Sequence, residues 1–319
     1  MSRRFAWLAG GIVAAIGIYT GAWFYVAGRL EAEVEAVLAR ARDGGAEAAC
    51  ANAEARGYPF RIGIFCDKVA YRDAAAGLSL DGSGLRNAAQ IYQPTRIVGE
   101  LDTIALLLGD GSGFGFAAKD IRYSTRTSDP LPERVSVTGQ ALVASQSRAG
   151  EGPVTLADAA AGEAHLRREG ADLDFALNFD ALQWRIVPAG GEMLPPLDGA
   201  ADMRLTDGVA FLADQPTSLR GASGEIRQAS VGTEGTGASI AGPFTVGADG
   251  LLDATLTLSI RNPQAFSMLL AASFPQIRPQ VDQTAALIAA LGDNPRLPLS
   301  VSKGVVRMGF LTLGRIPAF

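Results

Sequence analysis

Asp172-Leu173-Asp174-Phe175-Ala176-Leu177-Asn178-Phe179-Asp180-Ala181 alternates with a period of two. Successive side chains of a strand point to opposite faces. Leu173, Phe175, Leu177, Phe179 and Ala181 therefore share one apolar face, against Asp172, Asp174, Ala176, Asn178 and Asp180 on a solvated one. The same period recurs at Phe60, Ile62, Ile64 and Cys66, at Val135 and Val137, at Leu252 through Ile260, and at Leu297, Leu299 and Val301. Such runs predict antiparallel sheets covered on one side. The 38 glycines are about 12 per cent of the chain against an ordinary ~7 per cent, and with 16 prolines they predict many turns between strands. Gly109-Asp110-Gly111-Ser112-Gly113 and Gly247-Ala248-Asp249-Gly250 read as hairpin turns. Helical crossovers are scarce, which disfavours a doubly wound parallel sheet. The expected fold is mainly β (α+β): an N-terminal transmembrane helix, then a curved or sandwich-like antiparallel β domain with a few covering helices.

Helical patterns fall in three places. Leu30 to about Arg42 is an Ala/Glu/Leu/Arg stretch, and a segment near Cys50 to Ala55 continues it. Asn262 is placed to cap a helix starting at Pro263, with Phe266, Leu269, Leu270 and Phe274 on one side before Pro275 stops it. Pro279 to Leu291 forms another, with Gly292 available at its end. The last two would cover a sheet end or the mouth of a groove. Ala144 to Gly162, rich in Ala, Gly and Ser, reads as a boundary between halves or as one long loop.

Phe5 to Gly28 carries no charge and is bounded by Arg3 and Arg4 before it and Arg29 after it. At about 1.5 Å per residue this run spans the roughly 30 Å hydrocarbon core of a bilayer. Trp7 lies near one end and Trp23, Phe24 and Tyr25 near the other, where amphipathic rings favour the headgroup layer. The basic flank precedes the span and Glu31, Glu33 and Glu35 follow it, so residues 1–4 are expected in the cytoplasm and the remainder in the periplasm. A cleaved signal is the competing reading, although its apolar stretch is usually only about 7–15 residues. The expected divisions are a tail over 1–4, an anchor over 5–28, a membrane-proximal helical linker over 29–56 and a periplasmic β-rich domain over 57–319. The formal charge of −5 argues against a nucleic-acid partner.

Cys50 and Cys66 are the only cysteines and read as a disulfide in an oxidising compartment, or else as two buried thiols. One histidine, His165, leaves too few ligands for a zinc site. As a lone base it is more ordinary on a strand surface than in catalysis. Gly111-Ser112-Gly113-Phe114-Gly115 resembles a phosphate cradle only in glycine content and reads as a turn. Asp172 with Asp174, and Asp198 with Asp202, read as solvated carboxylates rather than acid/base partners. No catalytic residue, metal or cofactor is therefore assigned. Phe114, Phe116, Phe175, Phe179, Phe211, Phe244, Phe266, Phe274 and Phe310 offer enough aromatic surface for a core or for an acyl-chain groove. Phe175, Phe179, Phe266 and Phe274 are the candidate groove residues.

Cys50, the run Gly57-Tyr58-Pro59-Phe60-Arg61-Ile62 and Cys66, close after an apolar span, resemble the DUF2125 family of alphaproteobacterial proteins. Gly304-Val305-Val306-Arg307-Met308-Gly309 followed by Leu313-Gly314-Arg315-Ile316-Pro317 resembles the closing strand pair of that family. More loosely, the architecture is similar to AsmA-like and DUF945 envelope proteins, which implies an envelope or lipid-handling role and supplies no catalytic residues. The physical reading of Gly57 to Arg61 is structural: Pro59 biases Tyr58 toward extended geometry, Phe60, Ile62 and Ile64 point inward, Arg61 points out, and Cys66 ties the strand to the preceding helix. The expectation is an inner-membrane protein, not an enzyme, that binds or shields an apolar ligand such as a lipid. An envelope scaffold that binds another envelope protein is the alternative, and a tethered hydrolase the third reading.

Overall fold

The computed structural model describes residues 2–109, 113–148, 152–214 and 216–319. They are mainly strand, paired antiparallel. The chain divides into two units, residues 1–124 with 147–151 and residues 125–146 with 152–319.

The first unit opens with α1 (Ser2–Asp43), a single helix long and apolar enough to cross a membrane. The uncharged run and the Leu30 stretch are continuous in it, because nothing between Gly28 and Leu30 breaks helical bonding. Arg40 and Arg42 pair with Glu33 and Glu35, and Gly45 at φ +92° ends the helix. Then come β1 (Glu47–Ala51), β2 (Glu54–Arg56), β3 (Arg61–Asp73), β4 (Leu78–Gln90), β5 (Gln93–Leu108) and β6 (Gly113–Arg126). The strand order is β1-β3-β4-β5-β6, with β2 also on β3. The helical reading of the linker fails beyond Asp43. Glu47–Ala51 pairs with Lys68–Arg72 of β3, so sheet bonding overrides the helix propensity of an alanine-rich stretch. Cys50 and Cys66 form a disulfide with Cα atoms 5.4 Å apart, and it joins β1 to β3 rather than a strand to a helix. Phe60 is not inward either: β3 starts one residue later, and Phe60 lies exposed in the preceding turn.

The second unit is a meander in chain order: β7 (Arg134–Ser147), β8 (Val154–Glu169), β9 (Asp172–Trp184), β10 (Leu197–Leu205), β11 (Ser223–Gly232), β12 (Gly237–Val246), β13 (Leu252–Arg261), β14 (Arg296–Ser302), β15 (Val305–Met308) and β16 (Leu311–Arg315). A short helix, α2 (Gly208–Ala213), follows β10. Two others, α3 (Pro263–Ser273) and α4 (Arg278–Ala289), separate β13 from β14. Asn262 caps α3 through Ala265 N–H, Pro263 is its first residue and Pro275 opens the next turn, as the sequence predicts. Gly247 and Gly250 close the β12–β13 hairpin. The core is centred on Ala254, Leu256 and Val301, with Ile226, Ile240, Phe244 and Leu299 packed against it. Ala144–Gly162 contains two of the points at which the chain passes between the units, after residues 146 and 151. Its described residues belong mainly to β7 and β8, which pair with each other, while residues 149–151 lie outside the described residues, as do 110–112 of the other glycine-rich turn.

Asp174 corrects the reading of a simply solvated face. Cross-strand pairing aligns Arg134, Arg167, Asp174, Arg204 and Glu225 in one rung. Asp174 is 7% exposed and accepts from Arg204 Nε at 2.8 Å, Arg167 Nη2 at 2.9 Å and Arg227 Nη2. Arg227 also bonds Asp202 at 2.6 Å. The hydrogen bond from Arg204, joined by those from Arg167 and Arg227, outweighs desolvation and holds the Asp174 carboxyl well below the usual carboxylate range. The arginines remain partly exposed, which weakens the pairing relative to a dry ion pair.

Asp174→Asn should destabilise the full chain in detergent micelles by about 2 kcal/mol at pH 7, because three guanidinium groups then converge without their carboxylate. A carboxyl lowered in the folded state stabilises fully above its unfolded pKa of about 4 and loses that contribution as pH falls. The gap between wild type and variant, measured by urea unfolding, should accordingly narrow by about 1 kcal/mol at pH 3. An unchanged gap would show that the cluster is not coupled to folding through Asp174 ionisation. Replacing both cysteines by alanine should cost about 3 kcal/mol, given the 16-residue separation of Cys50 and Cys66. Equal urea midpoints for the two proteins would reject that estimate.

Candidate functional site

The odd-numbered face of β9 builds a trough, because register carries its parity into both neighbours. Phe175 pairs with Leu166 on β8 and Met203 on β10, and Leu166 pairs in turn with Val135 on β7. One rung along, Leu177 pairs with Ala164 and Ala201, and Ala164 with Val137. Alanines beside Leu177 leave its side chain without bulky flanking neighbours, and it is 49% exposed. Val137, at the same level, is also exposed.

The third rung places Phe179 between Gly162 and Gly199. A Cβ on Gly199 would come within 2.2 Å of the Phe179 ring, so the glycine makes room for the aromatic group. At the opposite end Leu173 is fully buried. Gly208, the first residue of α2, packs over Leu173 and Leu205 so closely that a Cβ would lie about 3.0 Å from Leu173 Cβ. Phe211 and Leu212 of α2 then turn into the trough. Leu219, Ala222, Phe244 and Val246 complete its wall.

The result is a groove of about 510 Å³ with an almost wholly hydrocarbon lining, in the size range of small-molecule pockets. Such a surface takes hydrocarbon by dispersion and water release and has few groups to orient a polar head. Of the four candidate groove residues, Phe175 lines it. Phe179 lines a separate hollow of about 620 Å³ whose lining mixes polar and apolar groups. Phe266 and Phe274 belong to α3 and its cap, away from the lining. Phe211 and Phe244, in the wider aromatic set, do line it. α2 is not among the helices predicted from sequence; its signal is the apolar run Val209-Ala210-Phe211-Leu212-Ala213 directly after Asp207-Gly208.

His165 lies on the charged side of the sheet, with Nε2 3.4 Å from Glu163 Oε2 and both side chains half exposed. Asp198 accepts from the Ala181 N–H, and Asp172 from the Asp207 N–H, so both brace backbone. Among the described residues no three His, Cys, Asp or Glu side chains converge as a metal site.

Gly57 to Arg61 lies in the first unit, between β2 and β3, against α1. Gly57 has φ +120° and its carbonyl accepts from Arg61 N–H; a Cβ there would meet the Arg61 carbonyl at 2.8 Å. The turn therefore requires glycine.

No curated protein and no solved structure matches this chain. The family described as "Uncharacterized protein conserved in bacteria (DUF2125)" matches residues 23–317. That span takes in α1 from Trp23 onward, the Gly57–Arg61 turn, the disulfide, the groove and the closing strand pair β15–β16, and the chain belongs to the DUF2125 family.

Proposed function

We propose that this protein is a single-pass, membrane-anchored envelope protein whose second unit holds the apolar chain of a lipid or similar amphiphile. α1 supplies the anchor, with residues 1–4 in the cytoplasm and the β-rich units in the periplasm. The charge asymmetry around the span supports that orientation, and the disulfide supports an oxidising compartment. The proposed role is binding or shielding, without a chemical step.

The observation that carries the reading is the groove itself. Val137, Leu177 and Leu219 are large apolar side chains in a concave surface, each at least one-third exposed. Apolar area left open to water costs roughly 25 cal/mol per Å², which favours a hydrocarbon occupant. Dispersed apolar side chains on a convex surface would carry no such inference, but these share one trough and one sheet face.

Ala201 sits on the trough floor between Leu177 and the wall. Full-length protein in micelles, exposed to a diazirine-bearing fatty acid and irradiated, should be labelled on peptides from β8, β9 and β10. Ala201→Trp should fill the trough and lower that labelling by about tenfold, equivalent to ~1.4 kcal/mol of binding. Labelling confined to α1 in both proteins would count against the groove and favour a surface for another envelope protein.

A further inference from the structure

We propose that the Gly57–Phe60 turn is a second membrane contact, inserted beside α1 in the interfacial layer at the C-terminal end of the span, with Phe60 in lipid. The proposal rests on the reading that α1 crosses a bilayer. It concerns the first unit alone and does not depend on the groove.

The level of the turn follows from its bonds to the helix. Tyr19 O–H donates to the Pro59 carbonyl, Thr20 Oγ1 and Tyr58 Oη lie 2.8 Å apart, and Trp23 Nε1–H donates to the Arg61 carbonyl at 3.0 Å. Trp23 meets the Tyr58 ring edge-on at 5.6 Å, and Phe24 stacks on it at 6.1 Å. A hydrocarbon core of about 30 Å takes about 20 helical residues. Counted from just beyond Arg4, that core ends near Phe24. A bilayer that encloses the span therefore reaches the residues to which the turn is bonded.

The turn is built for such a layer. Backbone groups entering a poorly hydrated region need partners. The carbonyls of Gly57, Pro59, Phe60 and Arg61 have them, in Arg61 N–H, Tyr19, Ile91 N–H and Trp23 respectively. Two of those four donors come from the spanning helix. No charge lies between Arg56 and Arg61, and those two arginines bracket the turn where headgroup phosphates would lie.

Exposure gives an independent argument. Phe60 is 69% exposed and Tyr58 46%. The neighbouring β4–β5 turn, tied to Phe60 through Ile91 N–H, presents Ile91 and Tyr92, the latter 69% exposed. The opposite end of the β3–β4 hairpin carries Ala74-Ala75-Ala76-Gly77. Large apolar and aromatic side chains thus gather at the end of the hairpin bonded to α1, and small residues close the end about 40 Å away along β3.

The test uses full-length protein with its disulfide intact, so that a new cysteine is the sole free thiol. Ala14→Cys, Phe60→Cys, Tyr92→Cys and Ala75→Cys are each labelled with a nitrobenzoxadiazole fluorophore and reconstituted into phosphatidylcholine–phosphatidylglycerol vesicles. Quenching by doxyl-labelled phosphatidylcholine and by aqueous iodide is then measured. Labels at 14 and at 60 or 92 should be quenched by the lipid-borne group at least about twofold more than the label at 75, and be shielded from iodide, as expected of groups in the membrane or its interface. If 60 and 92 both behave like 75 while 14 remains lipid-quenched, the span stands and the inserted turn is overturned. If 14 is itself unquenched, the spanning helix fails and the proposal falls with it.

Discussion

Antiparallel pairing in register transmits the parity of one strand to the next. Phe175 is opposite Leu166 and Met203, so its face is also theirs. A one-residue slip in β9 would exchange Phe175 for Asp174 and turn the apolar side of the sheet into the charged side. The groove and the arginine cluster are thus the two faces of one ladder, and neither could exist with a different register. Asp174 helps to fix that register. Its three arginines come from β8, β10 and β11, so the carboxylate bonds strands on both sides of β9 while Leu173 next to it is sealed beneath α2.

The first unit is governed by a different contact. A long N-terminal helix ordinarily leaves the domain after it free to swivel on its stalk. Here α1 is held from Tyr19 to Arg42 by the strands and turn that follow it. Tyr19, Thr20 and Trp23 bond the Gly57–Arg61 turn, Glu31 accepts from Ala55 N–H and Arg42 donates to the Ala48 carbonyl. The disulfide fastens β1 to β3 within the same assembly. Trp23, which the sequence places near the end of the apolar run, is buried against Tyr58 and the turn.

Much of this was legible because it depends on local rules. Period-two alternation found β9, β13 and β14, glycine pairs found the β12–β13 turn, and Asn262-Pro263 found the start of α3. What escaped depends on partners distant in sequence. The alanine-rich stretch at Cys50 reads as helix until β3 offers it an edge. Asp174 reads as solvated until arginines 7, 30 and 53 residues away reach it. Phe266 and Phe274 carry the same hydrophobic signal as Phe175, and only the fold separates an aromatic on α3 from one on the trough floor. α2 was missed because six residues are too few to show a helical period.

Apolar alternation on one strand cannot separate a packed core from an open groove, since both require it. The difference lies in the volume supplied by flanking strands. Protein interiors are filled to crystal-like density, and a rung fills when large residues stand on each strand, as Leu256 and Leu299 do in the core. On the trough floor Leu177 has alanine on both sides. Each replacement of leucine by alanine removes the bulk needed to cover the neighbouring side chain, which elsewhere leaves a destabilising cavity. In a sheet face open to solvent the same deletion leaves a channel. The informative residues for the groove are therefore the small ones, Ala164 and Ala201, as much as the phenylalanines that first draw attention to it.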